Sequence, residues 1–350
     1  MKSSEYKDYL TVLNVISAVS VVALHANNCF WSFSRKGGYW FSANIIECLF
    51  YFAVPVFIMI TGITLFDYTK RYDTRAFLQH RFNKTVIPFV FWSLMALLVQ
   101  IFYLKKIALS SLSVSFIING LFKSSFTPVY WFFIPLFSLY LCIPLFASID
   151  ETKKTAVLKY LAVSGFIINI LLPFVLTVCR SSVKIPVNVT VVGGFIFYAV
   201  LGWLLDRCNL SHGQRRIIYI LSVVGLAMHI CGTYVLSMEA GKIIKTYKGY
   251  SNIPCILYTT GIFVFIKQWV MYGSSQKQQR LTAICDKLKN YSFSVYLLHW
   301  FFIKLLVKEF DIDIRTTSYR IGGVFLLTVL SIMAAWLIRK IPIVGKRILP

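Results

Sequence analysis

A chain of 350 residues with 58% hydrophobic and only 14% charged positions, at a mean hydropathy of +0.71, is too apolar for a soluble domain, which averages about 45–50% apolar and about 25% charged residues. The formal net charge of +23 does not point to nucleic acid, because Lys and Arg fall in short clusters between apolar runs, as topology determinants and contacts to anionic headgroups do. The eight cysteines stand singly, with no CxxC and no ligand spacing, so no metal site and no redox pair is expected.

The first apolar run, Asn14 to Cys29, carries a polar stripe inside a sleeve of Val15, Ile16, Val19, Val22 and Leu24. Thr11, Asn14 and His25 share one helix face, with Ser17 at its border and Ala18 leaving room for a neighbour; Asn14 and His25 are about three turns, or about 16 Å, apart. Lys2 and Lys7 precede the run as they would a signal peptide. It is too long, however, and lacks a small-x-small cleavage site, so it reads as a retained first transmembrane helix.

With about 20 apolar residues per crossing, the chain divides into about ten spans, near 9–30, 43–66, 85–104, 129–148, 156–178, 191–206, 217–236, 253–273, 291–309 and 321–338. The expected fold is an all-α integral membrane bundle, with residues 1–350 forming a single transmembrane domain. An even number of crossings puts both termini on one side. That side holds about twenty loop cations against about twelve opposite, which makes it the cytoplasm of a multi-pass cell-membrane protein. The opposite loops still carry Lys105, Lys106, Lys242, Lys245 and Lys248, and the longest, 105–128, is partly apolar and reads as re-entrant or interfacial. Pro55, Pro88, Pro135, Pro144, Pro173 and Pro254 fall in or at the ends of spans, where neighbours can satisfy the freed carbonyls. No internal repeat is visible, and no small-xxx-small seam or heptad run specifies a homo-oligomer.

An imidazole inside such a helix is costly and marks a functional face; the plainer reading is a structural histidine hydrogen-bonded to a neighbouring helix. Glu47 lies at a depth comparable to His25, where a carboxylate would orient the ring and stabilise its cation. Equally, Glu47 could sit at the membrane edge, held by water, Arg35 or Lys36. At the other end, KRYDTRAFLQHRFNKTVIP, residues 70–88, gathers five cations, Lys70, Arg71, Arg75, Arg81 and Lys84. Arg81 and Lys84 share one side of a helix and suit an anionic donor's phosphates, although such clusters also serve only as topology signals. Ser292, Tyr296 and His299 share a face of the ninth span. Tyr130, Trp131 and Tyr140 form an aromatic wall that suits a pocket or an interfacial belt. His229 stands alone and reads as packed.

Taken in order, these motifs resemble the membrane-bound acyltransferase family 3, integral membrane enzymes that O-acylate sugars and other envelope acceptors. The resemblance covers most of the chain. It rests on His25 in the first span, VPVFIMITG (54–62), RFNKTVIP (81–88), YWFFIPLFSLYLCIP (130–144) and YSFSVYLLHW (291–300). Two positions depart from the family. Asn14 stands where Arg or Lys is usual, and an amide can orient a carbonyl but carries no charge, although related membrane acetyltransferases have Asn there. Lys84 replaces a second Arg, keeping the charge without the planar fork.

The resemblance implies transfer of an acyl group, expected to be acetyl, from cytoplasmic acetyl-CoA to a hydroxyl of an envelope glycan or lipid-linked sugar. Arg81 and Lys84, with Arg71 and Arg75, would hold the donor, Tyr296 and His299 would lie beside it, and Asn14 or Tyr296 would hydrogen-bond the thioester carbonyl. His25, oriented by Glu47, would act as base or acyl carrier, with Trp31, Tyr130 and Trp131 on the acceptor side. A secondary transporter of an anionic or glycan-linked molecule would use the same buried polar groups without a donor. An idle partner of a polysaccharide synthesis complex would need none of this chemistry.

Overall fold

The computed structural model describes residues 3–183, 185–342 and 344–350, without the side chains of residues 3–7. Lys2 and the side chain of Lys7, the flanks of the first run, lie outside that description. The main helices are α1 (Ser3–Ala26), α2 (Tyr39–Lys70), α3 (Thr74–Tyr103), α4 (Val114–Phe122), α5 (Pro128–Ala147), α6 (Glu151–Val178), α7 (Ile196–Arg207), α8 (His212–Ala240), α9 (Ile253–Tyr272), α10 (Gln276–Leu288), α11 (Ser292–Glu309) and α12 (Thr317–Ile338). No strand occurs among the described residues.

Eight of these helices are long and apolar enough to cross a membrane. The other two expected spans differ for physical reasons. The sixth, α7, has only 12 residues, about 18 Å of rise, because Gly193 and Gly194 hold the preceding segment out of the helix. The ninth, α11, has 18 residues and carries Lys304, Lys308 and Glu309 in its last two turns. Residues 105–128 are not structureless: they contain α4, capped by the Ser113 hydroxyl, which accepts from the Phe116 N–H.

α1 is the central element. It packs against α2, α9, α10, α11 and α12, and Tyr9, Val12, Leu13, Val15, Ala18, Val21, Val22 and Ala23 are all buried, as expected of a helix apolar nearly all round. α2 and α7 approach closely because Gly62 lies against Ala199 and Gly202 against Met59; a Cβ on Gly62 would meet the Ala199 carbonyl at 2.2 Å. At the end of this pair Asp67 accepts from Lys154 of α6 at 2.7 Å and also pairs with Arg207 of α7. These cations and the Trp203 indole satisfy both carboxylate oxygens.

Several helices change to wider π-turns, at Phe82–Val86, Val99–Tyr103, Phe166–Leu171 and Met228–Gly232. Two of them end two residues before a proline, Pro88 and Pro173. Proline offers no N–H to the preceding turn and clashes with the carbonyl four residues back, and a widened turn relieves that conflict. Such turns recur at functional positions, and here they carry Lys84, Gln100 and His229.

Candidate functional site: two cavities that meet at Tyr296

The polar stripe of α1 opens into two cavities. One, of about 730 Å³, is lined by His25, Trp31, Glu47, Tyr51, Gln100, Lys106, Trp131, Tyr250, Trp300 and Lys304 among others. The second, of about 750 Å³, is lined by Asn14, Thr61, Arg81, Lys84, Lys289, Arg339 and Lys346. Phe132 and Tyr296 belong to both walls. α11 presents Ser292 and Phe293 to the Asn14 cavity, and Trp300 and Lys304 to the His25 cavity. It therefore runs in the same direction as α1, and the two helices span both chambers together.

The wall between the chambers is braced by a reciprocal pair of hydrogen bonds. Tyr296 donates its hydroxyl to the Val129 carbonyl at 2.6 Å, and Tyr130 donates to the Leu297 carbonyl at 2.5 Å. Tyr130 is fully buried and does not line the His25 cavity, unlike its neighbour Trp131. Its place is in the brace, because the short 3-10 turn Pro128–Phe132 directs Trp131 outward and Tyr130 inward.

His25 stacks on His299, with ring centroids 5.1 Å apart and planes inclined by 22°. His299 is fully buried, and its Nδ1 lies 3.0 Å from the Val295 carbonyl. A carbonyl only accepts, so that nitrogen carries the proton and Nε2 keeps its lone pair. His299 thus belongs with His25 rather than with the cationic chamber.

Glu47 lines the His25 cavity, and its Oε1 accepts from Lys248 at 2.9 Å in an ion pair whose side chains are 4% and 1% exposed. Its Oε2 is buried without a partner. Lys248 Nζ lies 3.5 Å from the Tyr51 ring centroid and 5.1 Å from those of Phe30 and Trp31. An ammonium ion held over aromatic faces and paired with a carboxylate tolerates burial. Tyr51 stacks on Tyr250 at 4.2 Å, and Tyr250 on Trp131 at 5.5 Å, so the three rings form one aromatic stack in the chamber's lining. Burial pushes the Tyr250 hydroxyl well above the ordinary tyrosine range, so it remains a neutral donor. Neither Arg35 nor Lys36 holds Glu47; Arg35 instead donates to the Met238 and Glu239 carbonyls.

Of the four cations expected around a donor, Arg81 and Lys84 line the Asn14 cavity and Arg71 and Arg75 do not. Arg71 donates to the Thr64 carbonyl at 2.5 Å and lies over Tyr72, so its charge is turned back onto α2. Arg81 Nε is buried and unpartnered. Sequence reasoning missed Lys289, Arg339 and Lys346, which come from the far end of the chain. Arg339 donates to the Asn290, Leu349 and Pro350 carbonyls, folding residues 344–350 across the mouth. A dense cationic C-terminal segment, RKIPIVGKRILP, was the available signal. It was also indistinguishable from a topology signal.

No group of His, Cys, Asp and Glu that could hold a metal occurs among the described residues. In comparison with known proteins, the family model described as an acyltransferase domain matches residues 7–340. No curated protein and no solved structure matches.

Proposed function

The chain belongs to the acyltransferase 3 family, a multi-pass membrane acyltransferase by that membership, and from this premise we propose that it moves an acetyl group from acetyl-CoA to a hydroxyl of an envelope or exported glycan. The observation that carries the proposal is a pair of chambers, differently lined, that meet at one wall. Arg81, Lys84 and Asn14 line one chamber, His25 lines the other, and the two meet at Phe132 and Tyr296.

In this reading α7 and α11 complete ten crossings, both termini face the cytoplasm of the cell membrane, and the cationic chamber opens on that side. Arg81 and Lys84, helped by Lys289 and Lys346, hold the donor's phosphates. The acyl arm passes Asn14, whose amide orients the thioester carbonyl. A nitrogen of His25 takes the proton of the acceptor hydroxyl, the oxygen attacks the thioester carbon, and the C–S bond breaks. The departing thiolate then takes the proton back from His25. The Tyr296 hydroxyl is already donated to Val129, so Tyr296 contributes a wall between the chambers rather than a free proton donor.

The test is calorimetric titration of the detergent-solubilised protein with acetyl-CoA. Wild-type protein is expected to bind, and Arg81→Ala/Lys84→Ala to lose at least about tenfold in affinity. A well-folded wild-type protein that ignores acetyl-CoA would sink the proposal and favour a transporter.

A further inference from the structure

The His25 chamber holds two cations that nothing in the preceding account uses. Lys106 lies just beyond α3 and Lys304 near the end of α11; both line the cavity. Neither has an acidic partner among the described residues. The chamber's one carboxylate, Glu47, is taken by Lys248, so the pair leaves the chamber with an unbalanced positive charge. Lys304 is half-buried, with its ammonium 5.7 Å from the Trp300 ring. Lys106 is exposed at the mouth.

Two further groups ask for a polar ligand. Gln100 donates its amide to the Phe126 carbonyl at 3.1 Å, but its Oε1 is buried and unpartnered, as is Glu47 Oε2. Both residues line the chamber. Buried acceptors without donors are costly, and hydroxyl groups would satisfy them. Tyr51, Tyr250 and Trp131, stacked one on another, line the same chamber and give it an aromatic side. Aromatic surface, hydroxyl acceptors and cations together describe a sugar that carries negative charge.

Resting on the acyltransferase reading, we infer that the acceptor is an anionic sugar, whose ring lies against the aromatic side of the chamber and whose carboxylate or phosphate is held by Lys106 and Lys304. Lys304 is five residues beyond His299, about 7–8 Å of helix rise from the ring that supports His25. The charge is therefore held away from the reacting hydroxyl, on a ring substituent or on the next sugar of a chain. Gln100 and Glu47 accept from the remaining hydroxyls and fix which of them reaches His25.

The experiment compares a glucuronate-containing tetrasaccharide with its carboxyl-reduced counterpart, and a sugar phosphate with its parent sugar, as acceptors for purified protein in nanodiscs with acetyl-CoA. Transfer is followed by mass spectrometry. Wild type is expected to favour at least one anionic probe over its neutral counterpart by about tenfold in kcat/KM, Lys106→Gln/Lys304→Gln to bring that ratio to about one, and Lys106→Arg/Lys304→Arg to keep it. Because the ratio is taken within one variant, partial loss of folded protein cancels.

A wild-type ratio near one for both pairs overturns the inference, as does a ratio that survives the glutamine substitutions. So does a ratio that moves only with the phosphatidylglycerol content of the nanodisc, which would make the lysines lipid contacts. Binding of the same probes is measured by calorimetry without donor. Lysine-dependent binding with no transfer to any acceptor would retain the anionic site and reject the transferase reading; transfer to neutral sugars alone would do the reverse.

Discussion

At the scale of single residues the Glu47–Lys248 pair makes the sharpest prediction. Removing one partner leaves an uncompensated buried charge, so Glu47→Gln and Lys248→Met should each destabilise the solubilised protein by about 3–5 kcal/mol, whereas the double variant should recover much of that loss. Thermal unfolding followed by tryptophan fluorescence checks this. With His25 as the base proposed above, His25→Ala should leave the unfolding midpoint within a few degrees and lower kcat by about 10²–10⁴-fold, the usual weight of general-base catalysis. His25 and Asn14 were legible in the sequence because a polar residue in an apolar helix is conspicuous. Lys248 was not. It comes from a loop 201 residues away from Glu47, and a loop lysine looks like any other until the fold brings it under Tyr51.

At the scale of elements, the α2–α7 crossing depends on two missing side chains. Gly62→Ala would place a Cβ 2.2 Å from the Ala199 carbonyl, and Gly202→Ala one 2.6 Å from Met59 Cα. Backbone cannot yield as a flexible side chain can, so each substitution should cost about 1–3 kcal/mol, seen as a lowered unfolding midpoint in detergent. Residues 54–62 were read as a motif, and Gly62 now has a physical role in it: it is one of the two points where α7 comes against the α2 backbone. Most spans were legible because hydropathy reports length directly. α7 was less so, since its ten residues ahead of Asp206 and Arg207 give the same local average as part of a longer helix. The π-turns left no trace in hydropathy, and Pro88 and Pro173 were the only clues to two of them.

At the scale of the whole molecule, the site is assembled from the two ends of the chain. Asn14 belongs to the first helix, whereas Lys346, Leu349 and Pro350 close the same chamber. Leu349 is fully buried, and the Trp92 indole donates to the Ile348 carbonyl at 2.9 Å. Deleting residues 345–350 should therefore weaken acetyl-CoA binding by about tenfold while leaving His25 and its surroundings in place, as calorimetry on the truncated protein would register. No pattern of hydropathy could have placed residue 349 beside residue 14, because that proximity is a product of packing. The shared wall at Phe132 and Tyr296 carries a further consequence, for steady-state kinetics. Two ligands that enter by different mouths do not exclude one another, so a non-reactive coenzyme A analogue should compete with the donor and be non-competitive towards the acceptor. Under the direct transfer proposed above, reciprocal plots should intersect rather than run parallel, since both partners are then seated at once.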